Sequence, residues 1–161
     1  MSDFNIILFL CNWGPHSAFQ TLQDQCADIP PEIRMIRIPC SGRIGKSLLF
    51  KSFEMGADGV ALLGCNPGTC RYGTGTEVAR KNIADTRNIL EIIGLGKERL
   101  RHGMFLPDDT RGVMEFLTEF VGHIKSMGKS PVSNEILPEP PGNGRRTLAE
   151  IIAAHDVYAC Q

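Results

Sequence analysis

Apolar residues along this chain fall in short unbroken runs separated by turn-forming residues and by stretches with helical spacing. Phe4 to Leu10 is almost wholly apolar and ends abruptly at Cys11-Asn12-Trp13-Gly14-Pro15, the pattern of a strand buried on both faces. Ser17 to Ala27 predicts a helix, with Ala18, Phe19, Leu22 and Cys26 at helical spacing and Pro30-Pro31 as its stop. Ile33 to Ile38 predicts a second strand, ending at Pro39-Cys40. Ser41 to Gly45 then turns into a helix over Lys46 to Met55. Val60 to Gly64 is the third apolar run and Cys65 follows it directly. A longer helix is predicted over Thr76 to Ile93, with Val78, Ala79, Ile83, Ile89, Leu90 and Ile93 on its buried side. Arg99 to Leu106 reads as a more polar strand, and Asp108 or Asp109 caps a last helix running to about Met127.

Strand and helix thus alternate four times through short connections, which predicts an α/β fold: an open parallel sheet with helices on both faces, flavodoxin-like in layout. Past Gly128 the composition shifts to Pro, Gly, Ser and Asn. The expected organisation is a domain over 1–128 and an extended arm over 129–161. Within the arm, Thr147 to Ala154 carries Leu148, Ile151 and Ile152 at helical spacing, too short a helix to stand alone. Gly73-Thr74-Gly75 lacks the Lys and Ser/Thr of a nucleoside-triphosphate loop.

Composition narrows the partners. A chain of 161 residues can bury a core without staples, and 17 basic against 18 acidic residues leave no charge excess for nucleic acid or an anionic membrane surface. The N-terminal apolar run follows an acid, has no cleavage pattern and is too short to span a bilayer, so a cytoplasmic protein is expected. The six cysteines are then expected as thiols rather than disulfides.

Three predicted strands end in a cysteine: Cys11, Cys40 and Cys65. In an open parallel sheet, ligands sit beyond the carboxyl ends of the strands, so these thiols are expected to converge there. Asn66-Pro67-Gly68-Thr69 is a turn that can bring Cys70 to the same centre. Four thiolates are what an iron-sulfur cluster requires, and the glycines at 14, 42, 64 and 68 would let backbone N–H groups approach its sulfurs. Structural zinc is the chemical rival, although its four-thiolate sites usually come as two close sequence pairs and only one close pair exists here. A catalytic thiol at Cys11 with His16 as base is a third reading. Cys26 is expected in core packing and Cys160 as an incidental thiol. Trp13 reads as a hydrophobic cap on the core, or as a shield for the site or a contact with a docking partner. Arg43 and Arg71 read as solvated residues or as charges that offset the thiolates.

Phe9-Leu10-Cys11-Asn12-Trp13, Ile38-Pro39-Cys40-Ser41-Gly42-Arg43-Ile44, Phe53 to Val60 and Gly64-Cys65-Asn66-Pro67-Gly68-Thr69-Cys70 together resemble the delta (iron-sulfur) subunit of methyl-viologen-reducing hydrogenase. The resemblance covers roughly residues 4 to 127. It implies a 2Fe-2S cluster on Cys11, Cys40, Cys65 and Cys70 and an electron-transfer role within an anaerobic oxidoreductase complex. The implied partners are a hydrogenase, formate dehydrogenase or similar redox subunit on one side. On the other is a flavin-containing heterodisulfide reductase A-like subunit, where electron bifurcation takes place. Related subunits serve the ATP-independent benzoyl-coenzyme A reductase complexes, which gives an alternative setting. Many members of the family read Cys-Asn-Trp-Cys in the first loop, whereas this chain has Gly14 at the last of these positions.

Overall fold

Four strands and four helices alternate in the computed structural model, which describes residues 4–132. They are β1 (Ile6–Cys11), α1 (Pro15–Asp24), β2 (Ile33–Ile38), α2 (Lys46–Glu54), β3 (Gly59–Gly64), α3 (Gly75–Ile92), β4 (Leu100–Met104) and α4 (Thr110–Met127). The expected alternation is borne out, with boundaries displaced by a few residues. The largest shift is in α1, which starts on Pro15, where a missing N–H costs nothing, and ends before Cys26. Most of the expected arm, including Thr147 to Ala154, lies outside the described residues.

The sheet is wholly parallel, in the order β2-β1-β3-β4. Every residue of β1 and β3 is buried, because both strands are central and covered on both faces. Successive side chains point to opposite faces, so the two runs feed two cores. Ile7 and Phe9 of β1 join Val60 and Leu62 of β3 against Leu49 and Phe53 of α2 and Ala79, Ile83 and Leu90 of α3. Ile6, Leu8 and Leu10 join Ala61 and Leu63 on the other face, against Phe19 and Leu22 of α1 and Leu117, Phe120 and Ile124 of α4. Full burial of each such side chain contributes about 1.5–3 kcal/mol. With this many, the domain has a core that does not depend on a metal.

The chain beyond α4 stays attached for a few residues through one buried cation. Arg99 donates to the carbonyls of Leu95, Asp58, Gly128 and Lys129, while the Asp58 carboxylate accepts from the N–H groups of Asn5 and Ser130. These bonds hold residues 128–130 against the amino end of the sheet, where β1 begins. The carboxyl end is left to the loops after β1, β2 and β3. Among the described residues, no helix is long and apolar enough to cross a membrane.

Candidate metal centre

In the order β2-β1-β3-β4, the chain leaves β1 toward one edge to form β2 and returns on the other side as β3. The switch point therefore lies between β1 and β3. Cys11 is the last residue of β1, and Cys65 directly follows β3. Leu10 sits in register with Leu63, so the two cysteines emerge side by side, with sulfurs 3.6 Å apart. Both are buried. The loop that follows Cys11 is fixed at its start: the Asn12 N–H donates to the Ile38 carbonyl, and Arg37 Nε donates to Asn12 Oδ1 at 2.6 Å.

Cys40 and Cys70 form the second pair, built by a close backbone approach. Cys40 leads into the 3-10 turn Ser41–Arg43, and Gly42 in that turn lies flat against Gly75 at the start of α3. A Cβ on Gly42 would fall 2.7 Å from Gly75 Cα, and one on Gly75 would collide with Cys40 Sγ and fall 2.9 Å from Cys70 Sγ. Only glycine fits at either place. Backbone N–H groups meet sulfur here: Cys70 accepts from Gly75 and Thr76 in the open first turn of α3 and from Tyr72 before it, and Cys40 accepts from Gly42. Thr76 also donates its hydroxyl to the Cys65 carbonyl at 3.1 Å, which ties α3 to the end of β3.

The surroundings polarise the thiols unequally. Burial pushes the Cys65 thiol up to about 12, with the hydrogen-bonded Cys11 and the charges of Cys70 and Cys40 adding to it. Cys40 is raised as well, first by burial and then by Cys70, against the opposing N–H of Gly42. Cys70 goes the other way. Burial is the largest single influence and raises it, but the backbone donors and the Cys40 thiol together bring it below its ordinary value. Each of these sulfurs is near enough to others to feel their charge, so the fold gathers all four sequence-predicted cysteines. They form two pairs rather than one tetrahedral cage; among the described residues, no group of three or more His, Cys, Asp or Glu side chains is placed to hold a single metal ion.

A cluster of two irons suits this donor set. Two thiolates each about 2.3 Å from one tetrahedral metal lie roughly 3.8 Å apart, close to the observed Cys11–Cys65 separation. Gly75, which has no Cβ, lies between Cys40 and Cys70, and both sulfurs border the place a Cβ would take.

The other singled-out residues divide. Trp13 and Arg71 are exposed and meet each other: the Arg71 guanidinium stacks 3.9 Å over the Trp13 ring, next to Cys70 in the chain. Arg43 is exposed in the Cys40 turn. His16 lies on the first turn of α1; burial and then the Arg37 charge lower its pKa, and the sulfur partner of Cys11 is Cys65. Nothing in this geometry makes His16 the base of a Cys11 nucleophile. Cys26 corrects two expectations. It lies exposed in a left-handed turn beyond α1, with φ 49°, rather than in the core, and it is disulfide-bonded, whereas the four site cysteines are free thiols. Cys160 lies outside the described residues.

Two residues escape sequence reasoning. In the sequence, Gly75 belongs only to a failed phosphate loop; its one signal is a glycine at the start of a helix just after a cysteine. His102, on β4, lies behind Gly64, where an added Cβ would sit 2.9 Å from Ser41 Oγ and 3.5 Å from His102 Nε2. Burial, then Arg80, lowers its pKa to about 4, so it is neutral at pH 7 and adds no charge to the site. Gly14 lies against Cys65, and a Cβ there would be 3.1 Å from its sulfur. A cysteine at this position would begin beside the Cys65 thiol.

Comparison with known proteins gives a consistent result. The family described as methyl-viologen-reducing hydrogenase, delta subunit, matches residues 6–128. The chain is 34% identical over 123 residues to the iron-sulfur D subunit of the F420-non-reducing hydrogenase vhc of Methanococcus voltae, covering 76% of this chain and 85% of that one. It is 30% identical to the iron-sulfur D subunit of the F420-non-reducing hydrogenase of Archaeoglobus profundus, covering 77% and 90%. The A subunit of the ferredoxin:CoB-CoM heterodisulfide reductase of Methanosarcina mazei is 30% identical over 145 residues, which are 90% of this chain but only 18% of that protein. A unit of this size therefore occurs both as a separate polypeptide and inside a larger one.

Two outcomes follow from the geometry. Gly75→Ala should leave the helical circular dichroism intact, since the surrounding strain of about 1–3 kcal/mol is small against the core, yet abolish metal binding by driving a methyl between Cys40 and Cys70. In metal-free, reduced protein, iodoacetamide should label Cys70 first among the four site thiols, at a rate that levels off below the pH of an ordinary thiol. Cys65 should stay almost unreactive up to pH 10, because its thiolate is not formed there. Mass spectrometry of peptides across a pH series reads both.

Proposed function

The chain belongs to the methyl-viologen-reducing hydrogenase delta subunit family, and from that premise we propose that it is an electron-transfer subunit carrying a 2Fe-2S cluster on Cys11, Cys40, Cys65 and Cys70. The observation that carries this reading is the gathering of four free thiols, in two close pairs, at the switch point of the sheet. When bound, the cluster supplies one-electron chemistry. The chain does the rest. Its four thiols hold the irons, its buried strand ends keep water from Cys11 and Cys65, and the N–H groups of residues 42, 72, 75 and 76 stabilise negative charge on Cys40 and Cys70. Electron transfer of this kind needs no acid, base or substrate pocket.

The protein relays electrons between a hydrogenase or formate dehydrogenase-type donor and a flavin-containing heterodisulfide reductase A-like partner, in the cytoplasm, as one part of electron bifurcation. Support for this comes from the two kinds of relative, one named as an iron-sulfur component of a hydrogenase and the other as a component of a heterodisulfide reductase. The partners would dock on the carboxyl edge of the sheet, where the loops after β1 and β3 leave Trp13, Arg71 and Tyr72 exposed.

Protein purified without oxygen should be brown, contain iron and acid-labile sulfide in equal amounts, and bleach with dithionite. Cys40→Ala and Cys70→Ala should each lose the colour and the iron, while Cys26→Ala should keep both. Colourless wild-type protein holding stoichiometric zinc would exclude the redox role.

A further inference from the structure

We propose that Cys11 and Cys65 bind one iron of the cluster and Cys40 and Cys70 the other, and that the iron on Cys40 and Cys70 is the one that takes the electron. The inference rests on the reading of the site as a 2Fe-2S centre and adds to it an assignment of each thiol. In such a cluster each iron takes two protein ligands. The fold supplies them already sorted. Cys11 and Cys65 stand 3.6 Å apart on neighbouring strand ends, while Cys40 and Cys70 bracket Gly75, with hydrogen bonding between their thiols.

The two pairs differ in how well they tolerate added negative charge. Cys11 and Cys65 are both buried at strand ends, each with the other's sulfur as its neighbour, which disfavours an added negative charge. Cys40 is buried as well, but both it and Cys70 lie against Gly75, the first residue of α3, where the leading N–H groups have no partner within the helix. Gly75 and Thr76 open the 18-residue helix α3, so its positive dipole end points at Cys70. Cys70 is also partly exposed, and Arg71 beside it carries a positive charge on the surface. Reduction converts one ferric iron to ferrous and adds one negative charge. The electron comes from a reduced iron-sulfur or flavin centre of a partner, which is oxidised by one unit, and all four iron-thiolate bonds are retained. The extra charge is held best on the iron whose thiolates have these donors. Cys70 adjoins the surface carrying Trp13, Arg71 and Tyr72, so the electron would enter and leave on that side.

Serine substitutions at single ligands test the assignment in the full-length protein. Cys40→Ser and Cys70→Ser should alter the ferrous Mössbauer doublet of the reduced protein, shift its electron paramagnetic resonance g values and lower the midpoint potential. Cys11→Ser and Cys65→Ser should alter the ferric doublet and leave the ferrous one in place. The reverse pattern, or equal effects at all four positions, would overturn the proposal. Wild-type protein gives a second readout that does not depend on a variant keeping its cluster. In nuclear magnetic resonance of the reduced state, the cysteine β-protons of the ferrous side should cross-relax with protons of Gly75 and Thr76; cross-relaxation with Gly14 instead would overturn the assignment. Wild-type protein without iron and sulfide would mean that the cluster reading itself has failed, which iron analysis detects before any of these spectra are taken.

Discussion

Four sulfurs at close quarters cannot all carry charge unless cations and hydrogen-bond donors surround them, and this constraint shapes the carboxyl edge of the sheet. A buried thiol next to another thiol resists ionisation, as Cys65 does, pushed up to about 12. Metal binding needs the thiolate form, so binding turns a neutral set of thiols into a charged one. The fold meets the charged state with fixed backbone donors rather than with buried cations. The Arg71 cation, next to Cys70 in the chain, stays in solvent over Trp13. Donors of this sort are in place without a metal, and their position depends on the flat contact between Gly42 and Gly75. Through that contact the Cys40 turn and the start of α3 share one space.

The rest of the architecture serves this edge. Two fully buried strands place Cys11 and Cys65 with the precision of sheet register, because a one-residue slip would turn every side chain to the opposite face. Cys40 and Cys70 sit on loops, where position depends on local turns and on α3. The chain beyond α4 is fastened by Arg99 and Asp58 at the amino end, away from the thiols. A core on each face of the sheet makes the domain stable by itself, so a metal held by the thiols would serve function rather than folding.

Much of this is legible in the sequence for a simple reason. Parallel strands buried on both faces are written as unbroken apolar runs, and Phe4 to Leu10 and Val60 to Gly64 could hardly be anything else. A cysteine directly after each run then has a predictable address. The pairing of the thiols is not legible, because it depends on strand order, and β1 lies between β2 and β3 through a crossover that spacing alone does not reveal. Gly75 escapes notice because its role is steric and comes from Gly42, 33 positions away in the chain. Cys26 is misplaced because the helical spacing of Ala18, Phe19 and Leu22 runs on in sequence past the point where the helix stops, at Asp24. The expectation of thiols throughout comes from the assumed compartment rather than from the residues.

The central claim is that the two thiol pairs hold two irons bridged by sulfide. Iron K-edge X-ray absorption of anaerobically purified protein measures this most directly. The account predicts a first shell of four sulfurs around each iron and a second shell containing one iron neighbour. A sulfur shell with no iron beyond it, the signature of a single ion bound by thiolates, would contradict it.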